Sequence, residues 1–107
     1  MYGLIGKMLA APGKREALLA ILLDNSTAMP GCLSYIIARD AASEDGIWIT
    51  EVWIDKEQHQ GSLQLPHVQA MIANARPIIA GFGERFETEP LGEIGSLNLG
   101  DAALAKA

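Results

Sequence analysis

A few residues in this 107-residue chain have the types and spacing to do chemistry. His67 follows Pro66 directly, and its imidazole is the candidate catalytic group. Neutral histidine titrates at about pH 6.5 and accepts a proton under physiological conditions. Trp53 is the candidate wall of a substrate site, with a flat face for an aromatic ring and an N–H that needs a partner when buried. Tyr35 could donate a hydrogen bond to a substrate oxygen. Glu51 lies two residues before Trp53, on the same side of a strand. It reads as an ion-pair or interface residue opposite Arg39, Arg85 or Lys7, and as the carboxylate available to the site. An apolar pocket holding a few such groups is the usual form of a small-molecule site.

Other chemistries lack their residues. His59 and His67 are the only histidines, and neither has a second good ligand four residues away, so no metal site is expected. Glu57 and His59 are two residues apart and fall on different sides of a helix. No glycine-rich phosphate loop follows a strand, and Ser34, Ser62 and Ser96 lack a nucleophile-elbow context. Cys32 is the lone cysteine, cannot form an internal disulfide, and reads as a small buried apolar side chain. A net charge of −5 with only eight basic residues argues against a nucleic-acid partner. No run approaches the roughly 20 apolar residues that cross a bilayer. Lys7 interrupts the first apolar run, so no secretory signal is expected either, and a reduced cytoplasm is the expected location.

The elements that must position these groups follow from periodicity. Residues 2–9 form an apolar strand, turned by Pro12-Gly13. Residues 14–24 place Leu18, Ile21 and Leu22 at helical spacing, and Asn25-Ser26-Thr27 ends that helix. Residues 32–39 and 47–54 are strands joined by a polar hairpin loop. Alternation puts Leu33, Tyr35, Ile37 and Arg39 on one face of the second strand. It puts Ile47, Ile49, Glu51 and Trp53 on one face of the third, with Trp48, Thr50, Val52 and Ile54 opposite. Asp55 with Gln58 resembles a capping pattern that starts a short helix at Lys56. Pro66 fits the first position of a longer helix with Val68, Met71, Ile72 and Ala75 as its core stripe, and Pro77 ends that helix. Residues 81–89 form the fourth strand, with Phe82, Glu84 and Phe86 on one face.

The order is βαββαβ, an α+β ferredoxin-like sandwich with helices on one side of the sheet. Residues 1–90 make the domain. Residues 91–107 are a Gly-, Ala- and Leu-rich tail in which Asp101 could cap a short helix, with the partner subunit as its expected resting place. Both faces of the second and third strands carry apolar bulk. One is covered by helices, and a second copy of the chain is expected on the other, giving a homodimer.

Met29-Pro30-Gly31 opening a strand, Glu51-Val52-Trp53 closing the next, and Pro66-His67 just over a dozen residues later resemble the antibiotic biosynthesis monooxygenase family. The resemblance runs from about Tyr2 to Pro90. It implies a dimeric α+β barrel and oxidation of a small quinol or polyketide-like aromatic by O2 with no cofactor. Such a substrate, once deprotonated, gives an electron to O2 directly, so the protein need only exclude water, orient the ring and hold the proton. Some positions depart from the family. Ser62 stands where many members carry a second histidine, and Ile49 where polyketide-type members carry asparagine. Gly6, Ser62 and Ile72 replace the residues of the haem-degrading branch, so haem degradation is not expected. The alternative is a non-catalytic dimeric binding or stress-related protein of the same fold.

Overall fold

The computed structural model describes residues 1–24 and 29–95. The helix-ending Asn25-Ser26-Thr27 and the Asp101 cap lie outside the described residues. Four strands, β1 (Tyr2–Ala10), β2 (Cys32–Arg39), β3 (Gly46–Trp53) and β4 (Ile79–Thr88), form one antiparallel sheet in the order β2-β3-β1-β4. Helices α1 (Arg15–Leu23), α2 (Lys56–Ser62) and α3 (Pro66–Ala75) connect them, and a short 3₁₀ turn (Arg76–Ile78) leads into β4. This is the ferredoxin-like α+β arrangement. Among the described residues no helix is long and apolar enough to cross a membrane.

Local signals account for the boundaries. The Asp55 carboxylate accepts the Gln58 backbone N–H at 2.8 Å and starts α2. Pro66 occupies the first turn of α3, where its missing N–H is not needed. Gly31 has φ +83°, and a side chain there would collide with Gln58. Its carbonyl accepts the Ile54 N–H at 2.9 Å, so the Pro30-Gly31 turn fixes the point where β3 gives way to α2. At the other end Arg15 Nη1 donates to the Ser43 carbonyl at 2.7 Å and ties α1 to the β2–β3 loop.

The helix-facing side of the sheet carries two clusters. One joins Leu18, Leu19 and Leu22 of α1 to Ala10, Ile47, Ile49 and Ala75. The other is Tyr2, Leu4 and Trp53, with Met29 and Cys32 against them. Full burial of a side chain such as Leu18 or Ile47 contributes about 1.5–3 kcal/mol.

Two of the sheet's three register shifts correct the simple alternation. On β2 Cys32 pairs with Trp53 and Ser34 with Val52, so Leu33 is an extra residue. Cys32, not Leu33, shares the helix-facing side with Tyr35, and Leu33 is exposed. On β4 Phe82 pairs with Met8 and Arg85 with Gly6, leaving two residues opposite Lys7. Phe82 is therefore on the helix side with Arg85 and Glu87, while Phe86, paired with Ile5, is on the opposite face.

Among the described residues, that opposite face carries no helix. It presents Ile5, Leu9, Ile36, Trp48 and Val52, all only half-buried. A polar cluster crosses it: Lys7 Nζ lies 2.9 Å from Asp40 Oδ2, which also accepts the Trp48 indole N–H at 3.0 Å. The Lys7 stem runs across Gly83, where a Cβ would sit 3.1 Å from it.

Candidate functional site

Between the two clusters the packing leaves a cavity of about 650 Å³, within the roughly 300–1,000 Å³ usual for small-molecule sites. Its walls are mostly apolar. Met8 and Ile49 come from the sheet, Leu22 from α1, and Val68, Met71, Ile72 and Ala75 from α3. Exposed Leu23, Leu63 and Phe82 also line it and mark its mouth.

One corner is polar. Glu51, Trp53, Tyr35 and Cys32 reach it from adjacent strands, and His59 from α2. Period-two alternation places Glu51 and Trp53 on the same side of β3. Cross-strand pairing sets Tyr35 beside Glu51 and Cys32 beside Trp53. The Trp53 indole N–H donates to Glu51 Oε1 at 3.0 Å. His59 Nε2 lies 3.7 Å from the same oxygen, too far for a hydrogen bond but close enough for one to form on a small shift. The His59 ring meets Trp53 edge-on at 5.4 Å and lies 5.6 Å from the Tyr2 ring. Ser62, buried in the same wall, donates to the His59 carbonyl at 2.6 Å.

The electrostatics follow from burial. Glu51 and His59 side chains are each 12% exposed. Burial pushes the Glu51 carboxyl above its ordinary value, while the Trp53 N–H and the charge of Arg85 oppose this. Burial holds His59 below 6.5, helped by Arg85 and Lys56 and opposed by Glu87. Burial also raises the Tyr35 phenol, reinforced by Glu51 and Cys32, so Tyr35 stays a hydrogen-bond donor. The Cys32 thiol is raised by burial and then by Glu51, donates to the Ser34 carbonyl at 3.6 Å, and is no thiolate nucleophile.

The structure thus brings Tyr35, Glu51 and Trp53 together. Trp53 is 1% exposed, so it serves the core and the cavity at once. Glu51 pairs with none of Arg39, Arg85 and Lys7: Arg39 bonds Glu16, Arg85 lies nearest Glu87, and Lys7 holds Asp40. His67 does not line the cavity, and its Nε2 is enclosed without a hydrogen-bond partner. The following residue, Val68, faces the cavity instead. His59 supplies the cavity's imidazole instead. Its signal was available: His59, Ser62 and Leu63 fall at helical spacing on one side of α2. Among the described residues, no three His, Cys, Asp or Glu side chains gather as a metal ion would require.

A family model described as antibiotic biosynthesis monooxygenase matches residues 1–74. A crystal structure of a candidate antibiotic biosynthesis monooxygenase from Chloroflexus aurantiacus is 56% identical, with a TM-score of 0.83 over 88% of this chain and 96% of that one. A second candidate, from Deinococcus radiodurans, is 20% identical with a TM-score of 0.72, covering 92% of this chain and 100% of that one. Rv0793 from Mycobacterium tuberculosis is also 20% identical, with a TM-score of 0.70 over 88% of this chain and 98% of that one. The latter two share the fold. No curated protein matches the chain.

Proposed function

This chain belongs to the antibiotic biosynthesis monooxygenase family, and from that premise we propose that it oxidises a small quinol or polyketide-like aromatic with O2, without a cofactor. The observation that carries this reading is the cavity of about 650 Å³, apolar along its length and ending on Glu51, Trp53, His59 and Tyr35. It is not filled by its own aromatics: Phe82, on its wall, is 72% exposed at the mouth.

The chemistry such a corner supports begins with a proton. A substrate hydroxyl gives its proton to Glu51, and His59 is the next acceptor. A carboxylate whose pKa is raised by burial is a better-matched base than a solvated one. The aromatic anion passes one electron to O2, and the resulting radical and superoxide join to form a C–O bond. Glu51 returns its proton to the peroxide, and the O–O bond and the C–H bond of the same carbon then break, releasing water and leaving a carbonyl. One oxygen atom ends in product and the other in water, so no external reductant is needed. Tyr35 donates to the substrate oxygen, and the apolar walls keep water out.

Oxygen consumption against a panel of quinols and anthrones tests this. Glu51→Gln should lower kcat by about 10²–10⁴-fold, with a smaller effect on KM. His59→Ala should lose more turnover than His67→Ala. If no panel member consumes O2 faster than a protein-free control, while aromatic ligands still bind, the non-catalytic binding reading replaces this one.

We also infer a homodimer. The open sheet face with Ile5, Leu9, Ile36, Trp48 and Val52 supports a second copy as its cover.

A further inference from the structure

The cavity has a marked charge character. Among the described residues that line it there is no lysine or arginine, and Glu51 is the one carboxylate. That carboxylate is largely removed from water. Oε1 has the Trp53 N–H at 3.0 Å, while His59 stands off at 3.7 Å. The nearby cations lie outside: Arg85 and Lys56 are more than half exposed, lie near Glu87, and do not line the cavity. A buried anion with no counter-charge in its own cavity is costly. A ligand can relieve that cost with a donor or a positive charge, and would add to it with a negative one.

We propose that the cavity selects by the charge of the ligand's polar head. It takes a compact aromatic body that points a hydroxyl or a protonated amine at Glu51, and it rejects the same body carrying a carboxylate. This rests on the cavity being the small-molecule site proposed above, but not on turnover. The remaining polar groups fit this division. Tyr35 can donate to a hydroxyl oxygen, but one phenol does not neutralise a carboxylate. A neutral His59 can give one N–H hydrogen bond but no positive charge, and burial opposes its taking up a second proton. Met8, Met29 and Met71 are flexible apolar walls that adapt to the body and leave the head as the discriminating group.

A matched trio tests this on the full chain at neutral pH: naphthol, protonated naphthylmethylamine and naphthoate, with one substitution pattern. Calorimetry should find the first two binding and naphthoate at least about tenfold weaker, as expected for a like-charge contact. Amide shifts should map binding to Glu51, Trp53 and His59. Glu51→Gln, with its fold checked by circular dichroism, should bring naphthoate and naphthol closer together. Equal binding of naphthoate and naphthol to the unaltered protein overturns the proposal, with no need of the variant. So does a gap that survives Glu51→Gln, or no binding of any of the three. The oxygenase reading fails separately: selective binding of donor-headed aromatics without oxygen uptake leaves charge selection standing. Oxygen uptake with equal KM for a hydroxylated aromatic and its carboxylated analogue does the reverse.

Discussion

At His59 and Glu51, burial moves two ordinary pKa values toward each other. The carboxyl rises from 4.5 and the imidazole falls from 6.5, so passing a proton between them costs less than between the same groups in water. The signs differ for stability. Depression of His59 contributes stability that is present above pH 6.5 and is lost as pH falls through its folded value. Elevation of Glu51 contributes stability that is present below 4.5 and is lost as pH rises through its folded value. In an NMR titration the His59 ring should show a midpoint below 6.5, and Lys56→Gln, which removes a positive neighbour, should raise it. A midpoint above 6.5 would mean that the imidazole is not buried as described.

Among the elements, α2 holds the site together. It carries His59 and Ser62, and it is anchored by the Asp55 cap and the Pro30-Gly31 turn. Asp55→Ala should cost about 0.5–2 kcal/mol in urea unfolding, as loss of an N-cap does. It should also weaken aromatic binding in the cavity. Arg15→Ala releases the far hairpin loop, so it should lose stability without that loss of affinity. Similar affinity losses in both variants would count against α2 as the positioning element. The order of elements was legible from sequence because each has a local signal: the Asp55 cap, Pro66, and the alternation of 47–54. Two things were not local. The bulges at Leu33 and before Arg85 are relations between strands, so neither strand shows them alone. His67 is a candidate from its place beside Pro66, yet Val68, Met71, Ile72 and Ala75 define that helix's inward stripe, and His67 lies about 90° around the axis from the middle of it.

For the whole molecule, the sheet face away from the helices is the one the described residues leave open. Light scattering at micromolar concentration should give a dimer, with an interface in the range of about 2,000 Å² or more typical of obligate pairs. Val52→Lys places a charge in the middle of that face and should yield monomer or misfolded protein. Monomeric unaltered protein would leave the homodimer without support. The Lys7–Asp40–Trp48 cluster lies on the same face, so a partner would have to meet it with matching polar groups or keep it at the rim.

The two tryptophans on β3 point to opposite sides, because four residues, an even number, lie between Trp48 and Trp53. One strand therefore carries two independent optical reporters. Trp53 is sealed beside the cavity, and its emission should answer to ligand and to the protonation of Glu51. Trp48 is half-covered on the open face and should shift to shorter wavelength when a second copy excludes water. In a pair of single-tryptophan proteins, Trp48→Phe and Trp53→Phe, dilution should move only the Trp48 signal and an aromatic ligand only that of Trp53. Assembly and occupancy could then be read separately, without an external label.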